Sequence, residues 1–182
     1  MCYGQDDSGV SDDQNSNLKM ELVVEPTHWD IPEGKVATPI LIVWKITNIG
    51  NKPINFRARD LGNLEIRDQS GKILENSGEV SDGFLTFCAR DYPIVQAGRT
   101  IFLPINTNLY FENGALNFLA ETSYEGRVGS FIRNIRKGEY FLAVTYTANK
   151  PSEAEASQML NFGVKSYWQG TIKSKTFEIN LD

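Results

Sequence analysis

Residues 138–147 constrain the fold more tightly than any other stretch of the chain. Tyr140, Leu142, Val144 and Tyr146 alternate there with Phe141, Ala143, Thr145 and Thr147, and a period of two puts the two sets on opposite faces of a β-strand. The same period recurs at 18–24, where Leu18, Met20, Leu22 and Val24 share a face. It recurs again at 40–47, where Ile40, Ile42, Trp44 and Ile46 form the core face and Leu41, Val43, Lys45 and Thr47 turn polar toward the end. Gly, Asn, Asp and Pro separate such runs: 48–53 has turn chemistry before a return at 54–58, and Asp68 to Gly71 turns Leu64-Glu65-Ile66-Arg67 back into Lys72-Ile73-Leu74. Further strands are expected at 84–89, 100–105, 115–120 and 168–181. Pro104 cannot donate to a ladder, which predicts an edge or a bulge in its strand. Residues 106–114 read as a loop carrying Tyr110 and Phe111.

One segment has helical character. Ser152 and Glu155 form an S-x-x-E capping box, and Ala154, Ala156, Met159 and Leu160 supply one or two turns before Asn161-Phe162-Gly163. It lies in the connection 149–166, longer than a hairpin loop and therefore a candidate functional insertion. At 182 residues the chain has enough length to bury a core without disulfides or a structural metal. The expected fold is all-β: a sandwich of about seven to nine antiparallel strands spanning 18–182, with one short helix in a late loop.

The stretch Lys137-Gly138-Glu139-Tyr140-Phe141-Leu142-Ala143-Val144 resembles the G-x-Y-x-L-x-V start of strand F in immunoglobulin-like domains. Strand 40–48 with Gly50-Asn51-Lys52-Pro53, the Ala97-Gly98 turn, and Trp168-x-Gly170-x-x-x-Ser174 resemble bacterial immunoglobulin-like modules of secreted and cell-surface proteins. The resemblance implies that Tyr140 bonds nearby backbone, and that the chain is a non-catalytic binding or interaction module. The chain lacks the paired inter-sheet cysteines of antibody domains. It also resembles the bacterial intracellular proteinase inhibitors, themselves β-sandwiches, though no inhibitory loop signature is present. An inhibitor presenting a loop, 106–114 or 149–166, is thus the second expectation.

Asp6, Asp7, Asp12 and Asp13 place −4 of the formal −5 in residues 1–17, which hold no Lys or Arg, so 18–182 carry only −1. Residues 1–17 read as a disordered acidic tether. Cys2 at its start, followed by Gly, Asp, Ser and Asn, resembles the mature N-terminus of a bacterial lipoprotein; the resemblance implies lipidation at Cys2 and an extracytoplasmic location, in the cell envelope or secreted. The charge is wrong for tracking phosphate backbones, so nucleic acid is not an expected partner. The longest apolar run, Ile40 to Trp44, is five residues, against about 20 for a membrane-spanning helix. Membrane contact is expected only through a lipid on Cys2.

Two cysteines without a C-x-x-C pair and a single histidine give no structural zinc set, and Cys88, in Phe84-Leu85-Thr86-Phe87-Cys88-Ala89, reads as a buried thiol. Catalysis near neutral pH by a histidine would rest wholly on His28, in a Pro-bounded loop. Asp60, Asp68, Asp82 and Asp91 coincide with turns, where Asp bonds its own backbone; an enzyme using carboxylates is the third expectation. No cofactor fingerprint, catalytic residue or metal site is expected. Aromatic side chains are the remaining candidates: Trp29, Tyr110, Phe111, Tyr167 and Trp168 are either ligand platforms for a protein or glycan, or packing at the edge of the core, whereas Trp44 belongs to the core.

Overall fold

The computed structural model describes residues 17–32, 37–58, 63–75, 89–121 and 129–182. Two β-sheets face each other across one core, and among the described residues a single α-helix lies against it: the fold is an all-β sandwich. The expected strand at 84–89, the buried Cys88, Cys2 and the tether through residue 16 lie outside the described residues.

The first sheet has the order β1-β3-β7-β8-β9: β1 (Leu18–Glu25), β3 (Thr38–Asn48), β7 (Thr100–Glu112), β8 (Ala115–Glu121) and β9 (Gly129–Ile132). The second is built around β10 (Gly138–Ala148). One edge of β10 pairs with β5 (Asn63–Asp68); the other pairs first with β12 (Phe177–Leu181) and then with β11 (Gly170–Lys173). β2 (His28–Trp29) adds to β12 in parallel, and the short strands β4 (Ile54–Asn55) and β6 (Ile94–Val95) pair with each other. Among the described residues nine strands have four residues or more.

Alternation decides what is buried. Ile40, Ile42, Trp44 and Ile46 from β3 meet Leu142, Val144 and Tyr146 from β10, all fully or almost fully buried, and apolar area removed from water is the main favourable term in folding. Phe56 packs on Tyr146 in a tilted arrangement, ring centroids 4.7 Å apart and planes at 33°.

Several local expectations change. Residues 106–112 continue β7 rather than forming a loop, because Ile105, Thr107 and Leu109 keep the inner face while Asn106 and Asn108 point outward. Thr107 is tolerated inside because its hydroxyl donates to the Ile40 carbonyl. Asn113 and Gly114, with φ of 53° and 77°, then close a two-residue turn between Glu112 and Ala115, the conformation that Asn-Gly favours between strands. Pro104 pairs with Val43, but β8 reaches only as far as Asn106, so the proline occupies a local edge among the described residues, as its missing N–H requires.

The final strand is two strands. Ser174 sits in the break, its N–H donating to the Val144 carbonyl and its hydroxyl accepting from the Val144 N–H. The return at 54–58 does not run back along β3; β4 pairs with β6 instead, and the return after the Asp68 turn is a single bridge, Arg67 to Ile73. β2, β6 and β9 were not legible: the first two are two residues long, and β9 offers only Gly-Ser-Phe-Ile.

Helix α1 (Glu153–Asn161) begins where its capping residue predicts, with Ser152 Oγ accepting from the Glu155 N–H at 3.2 Å. The glutamate side chain goes elsewhere. Glu155 Oε1 accepts from Arg57 Nε at 2.8 Å and from the Tyr92 hydroxyl at 2.9 Å, which fastens the 149–166 connection to the sandwich.

Candidate functional site

A cleft of about 630 Å³ opens between the turn that follows β5 and the connection from β9 to β10. Its first wall starts from Asp68, whose Oδ1 accepts from the Ser70 N–H, the Ser70 hydroxyl and the Lys72 N–H at 2.9, 2.6 and 3.1 Å. The Ser70 hydroxyl bond above all holds the Asp68 carboxyl below its usual range. Gly71 takes φ +82°, a conformation glycine adopts without steric cost, and Arg67 Nη1 donates to its carbonyl at 3.0 Å. The chain then returns beside β5, the Leu74 N–H donating to the Ile66 carbonyl at 2.8 Å.

The second wall follows Ile132. Asn134 adopts φ +56° with its N–H 3.4 Å from Asn117 Oδ1, and the Ile135 N–H donates to the Leu116 carbonyl at 3.0 Å. This bulge turns Arg133 and Arg136 outward while Ile132 and Ile135 stay buried. Arg133 lies over the Phe131 ring at 5.1 Å, and Phe131 stacks on Tyr110 with centroids 6.2 Å apart. The Tyr140 hydroxyl, donating to the Arg136 carbonyl at 2.7 Å, fixes where the wall meets β10. A second pocket of about 330 Å³ adjoins the first through Asp68, Arg136 and Tyr140, and adds Lys137.

The result is a mostly polar cleft backed by the buried Ile132, Ile135 and Tyr140 and the half-buried Leu74, with Lys72, Arg133, Arg136 and Lys137 on its rim beside the carboxylates Asp68, Glu75 and Glu139. Among the described residues no carboxylate lies within 4 Å of any of these four cations. An arrangement of this kind can attract an anionic group by charge while offering some apolar contact. These residues escaped the sequence reading because charge was summed over long stretches; the signal was Arg133-Asn134-Ile135-Arg136-Lys137, three bases in five residues of a nearly neutral body.

The aromatic candidates do not converge on this cleft. Trp29 is fully buried, stacked on Phe118 at 5.5 Å with planes 7° apart, its Nε1 donating to the Pro26 carbonyl at 2.9 Å; it is core and offers no exposed ring. Tyr167 and Trp168 are also buried, the first stacked on Tyr92 with its hydroxyl on the Asn149 carbonyl, the second against Tyr146. Both border a separate groove of about 510 Å³ with Asn17, Ile54 and Asn55, but show little surface in it. Tyr110 and Phe111, adjacent on β7, fall on opposite faces of the strand and cannot make one platform. Tyr110 is half-buried and belongs to the stack beside Arg133, and its phenol is raised above its ordinary value, mainly by desolvation.

His28 Nε2 lies 2.6 Å from Asp182 Oδ2, with both side chains about half exposed. Glu139 and Glu178 share a hydrogen bond on the outer face of the second sheet, which raises the Glu139 carboxyl above its usual range. Among the described residues there is no group of three His, Cys, Asp or Glu side chains placed to hold a metal ion, and no helix long and apolar enough to cross a membrane.

Compared with models of known protein families and with curated proteins, the chain matches none.

Proposed function

We propose that this chain is a non-catalytic binding module of immunoglobulin-like type that engages a protein or glycan through the cleft between the Asp68 turn and the β9–β10 connection. The observation that carries it is a concave rim bearing four cations, none within 4 Å of a carboxylate among the described residues. Charged groups normally acquire partners or stay fully solvated, and a concave, partly apolar site with a few convergent polar groups is where a ligand binds. The Tyr140-to-Arg136 bond and the two facing sheets support the immunoglobulin-like reading.

Tether geometry supports a displayed module. Asn17 borders the groove with Trp168, near where β10 ends at Ala148, whereas the cleft lies where β10 begins at Gly138 and Tyr140. Eight residues of strand separate Tyr140 from Ala148, about 27 Å at the rise of a β-strand. An acidic tether anchored through a lipid on Cys2, outside the cytoplasm, would present the cleft away from the membrane.

The decisive experiment is to probe peptide and glycan arrays with the full chain and with Arg136→Glu. Binding to a defined ligand class that the variant loses supports the module; binding that the variant retains removes the cleft from the reading. Anchoring is tested separately by labelled palmitate incorporation into the native gene product, with loss of label expected in Cys2→Ser.

A further inference from the structure

We propose that the cleft takes an extended acidic peptide, its carboxylates on Arg133 and Arg136 and an apolar side chain against Ile73 and Leu74. The inference rests on the cleft being a binding site, and it names the class of ligand.

Charge is the first argument. Asp68 Oδ1 is taken up by three donated hydrogen bonds within its own turn. Across the two adjoining pockets the four cations Lys72, Arg133, Arg136 and Lys137 outnumber the three lining carboxylates Asp68, Glu75 and Glu139, and among the described residues none of the four lies within 4 Å of a carboxylate. Arg133 is already held over Phe131, so less rotamer freedom is lost when it meets an anion.

Shape selects a peptide over a sugar. Sugar rings pack on exposed aromatic faces, and among the described residues the one ring lining the cleft, Tyr140, is buried. What the cleft offers is aliphatic: Ile73 is 44% exposed and Leu74 half-buried.

Backbone supplies the third argument. Leu74 N–H donates to Ile66 and Asp68 N–H donates to Lys72, so the N–H and C=O of Ile73 point away from β5. Among the described residues neither has a partner. An extended peptide can add along this edge, the arrangement in which main-chain bonds give affinity and side-chain contacts give specificity.

The test is fluorescence anisotropy with the full chain and a labelled octapeptide, two repeats of Asp-Leu-Glu-Val, against the same peptide with Lys for each acid and against a polygalacturonate oligomer. The acidic peptide should bind, more weakly as salt rises. Arg136→Glu and Ile73→Asp, both at exposed side chains and on opposite walls, should each weaken it roughly ten-fold, and Lys72→Glu, beside Ile73, provides an independent check should either variant melt early. Equal binding of the acidic and basic peptides, or acidic binding untouched by all three variants, overturns the proposal. Polygalacturonate binding lost in Arg136→Glu, without peptide binding, overturns the peptide class and leaves the cleft a binding site. No binding of any probe overturns both.

Discussion

The Tyr140 hydroxyl donates to the Arg136 carbonyl at 2.7 Å and accepts from the Arg136 N–H at 3.2 Å. One buried side chain of β10 therefore sets the position of the cleft wall that carries Arg133 and Arg136. Tyr140→Phe keeps the ring and removes both bonds. It should cost about 1 kcal/mol in urea denaturation with an unchanged slope, and it should speed amide exchange at Arg136. An unchanged midpoint would show that solvent replaces the hydroxyl without loss.

Glu155 makes a stronger prediction. Its side chain is 8% exposed and accepts from both Arg57 and Tyr92. Burial first, and the neighbouring carboxylate second, raise the Tyr92 phenol far above its ordinary value. Glu155→Ala removes a carboxylate that accepts from both groups in a largely buried setting and should cost about 2–4 kcal/mol, while Tyr92→Phe should cost about 1 kcal/mol. A nine-residue helix is below the length at which isolated helices persist. Amides of α1 should therefore exchange much faster in Glu155→Ala while those of β3 change little. Uniform acceleration throughout would show instead that α1 is part of the global unfolding unit.

The capping box illustrates what local sequence can and cannot convey. Ser152 announces a helix start through a contact three residues away, but the use of Glu155 depends on Arg57 and Tyr92, 98 and 63 residues distant. Long alternating runs such as those of β3 and β10 were legible for the same reason: their period is local and their inner faces strongly apolar. β7 beyond Ile105 was obscured because Thr107 faces inward and two asparagines outward, a pattern that resolves only once β3 and β8 supply its neighbours. The cleft was hidden further, since its two walls, ending at Glu75 and beginning again at Ile132, are 57 residues apart in the chain at their nearest.

The two sheets carry carboxylates that respond to pH with opposite sign. Glu21 accepts from Lys19 and lies 2.9 Å from Lys45, and these cations hold its carboxyl at about 2 instead of 4.5. A folded value below the unfolded one stabilises above 4.5 and fades as pH falls toward 2. Glu139 is raised by its bond to Glu178, so its contribution is complete below the ordinary carboxylate value and is lost as pH rises. Glu21→Gln should lower Tm at pH 7 but not at pH 2, and Glu139→Gln should raise Tm at pH 7 but not at pH 3. Both side chains are solvated, so both effects should shrink in 1 M salt. Matching signs for the two variants at pH 7 would contradict this assignment.

Trp29 decides between ligand platform and core. Its ring is fully enclosed, stacked on Phe118 of the opposite sheet, and its Nε1 is bonded to Pro26, so it joins β2 of one layer to β8 of the other. Trp29→Ala should cost about 3–5 kcal/mol, the usual range for emptying a buried aromatic site. Since Trp44 and Trp168 are buried as well, the native emission should lie at the blue end of the tryptophan range and resist quenching by iodide. A glycan ligand that quenched the emission, and whose binding vanished in a stably folded Trp29→Phe variant, would show that the ring opens to solvent and serves recognition after all. Under the packing seen here, Trp29→Phe should instead lose stability and leave ligand binding at the cleft unchanged.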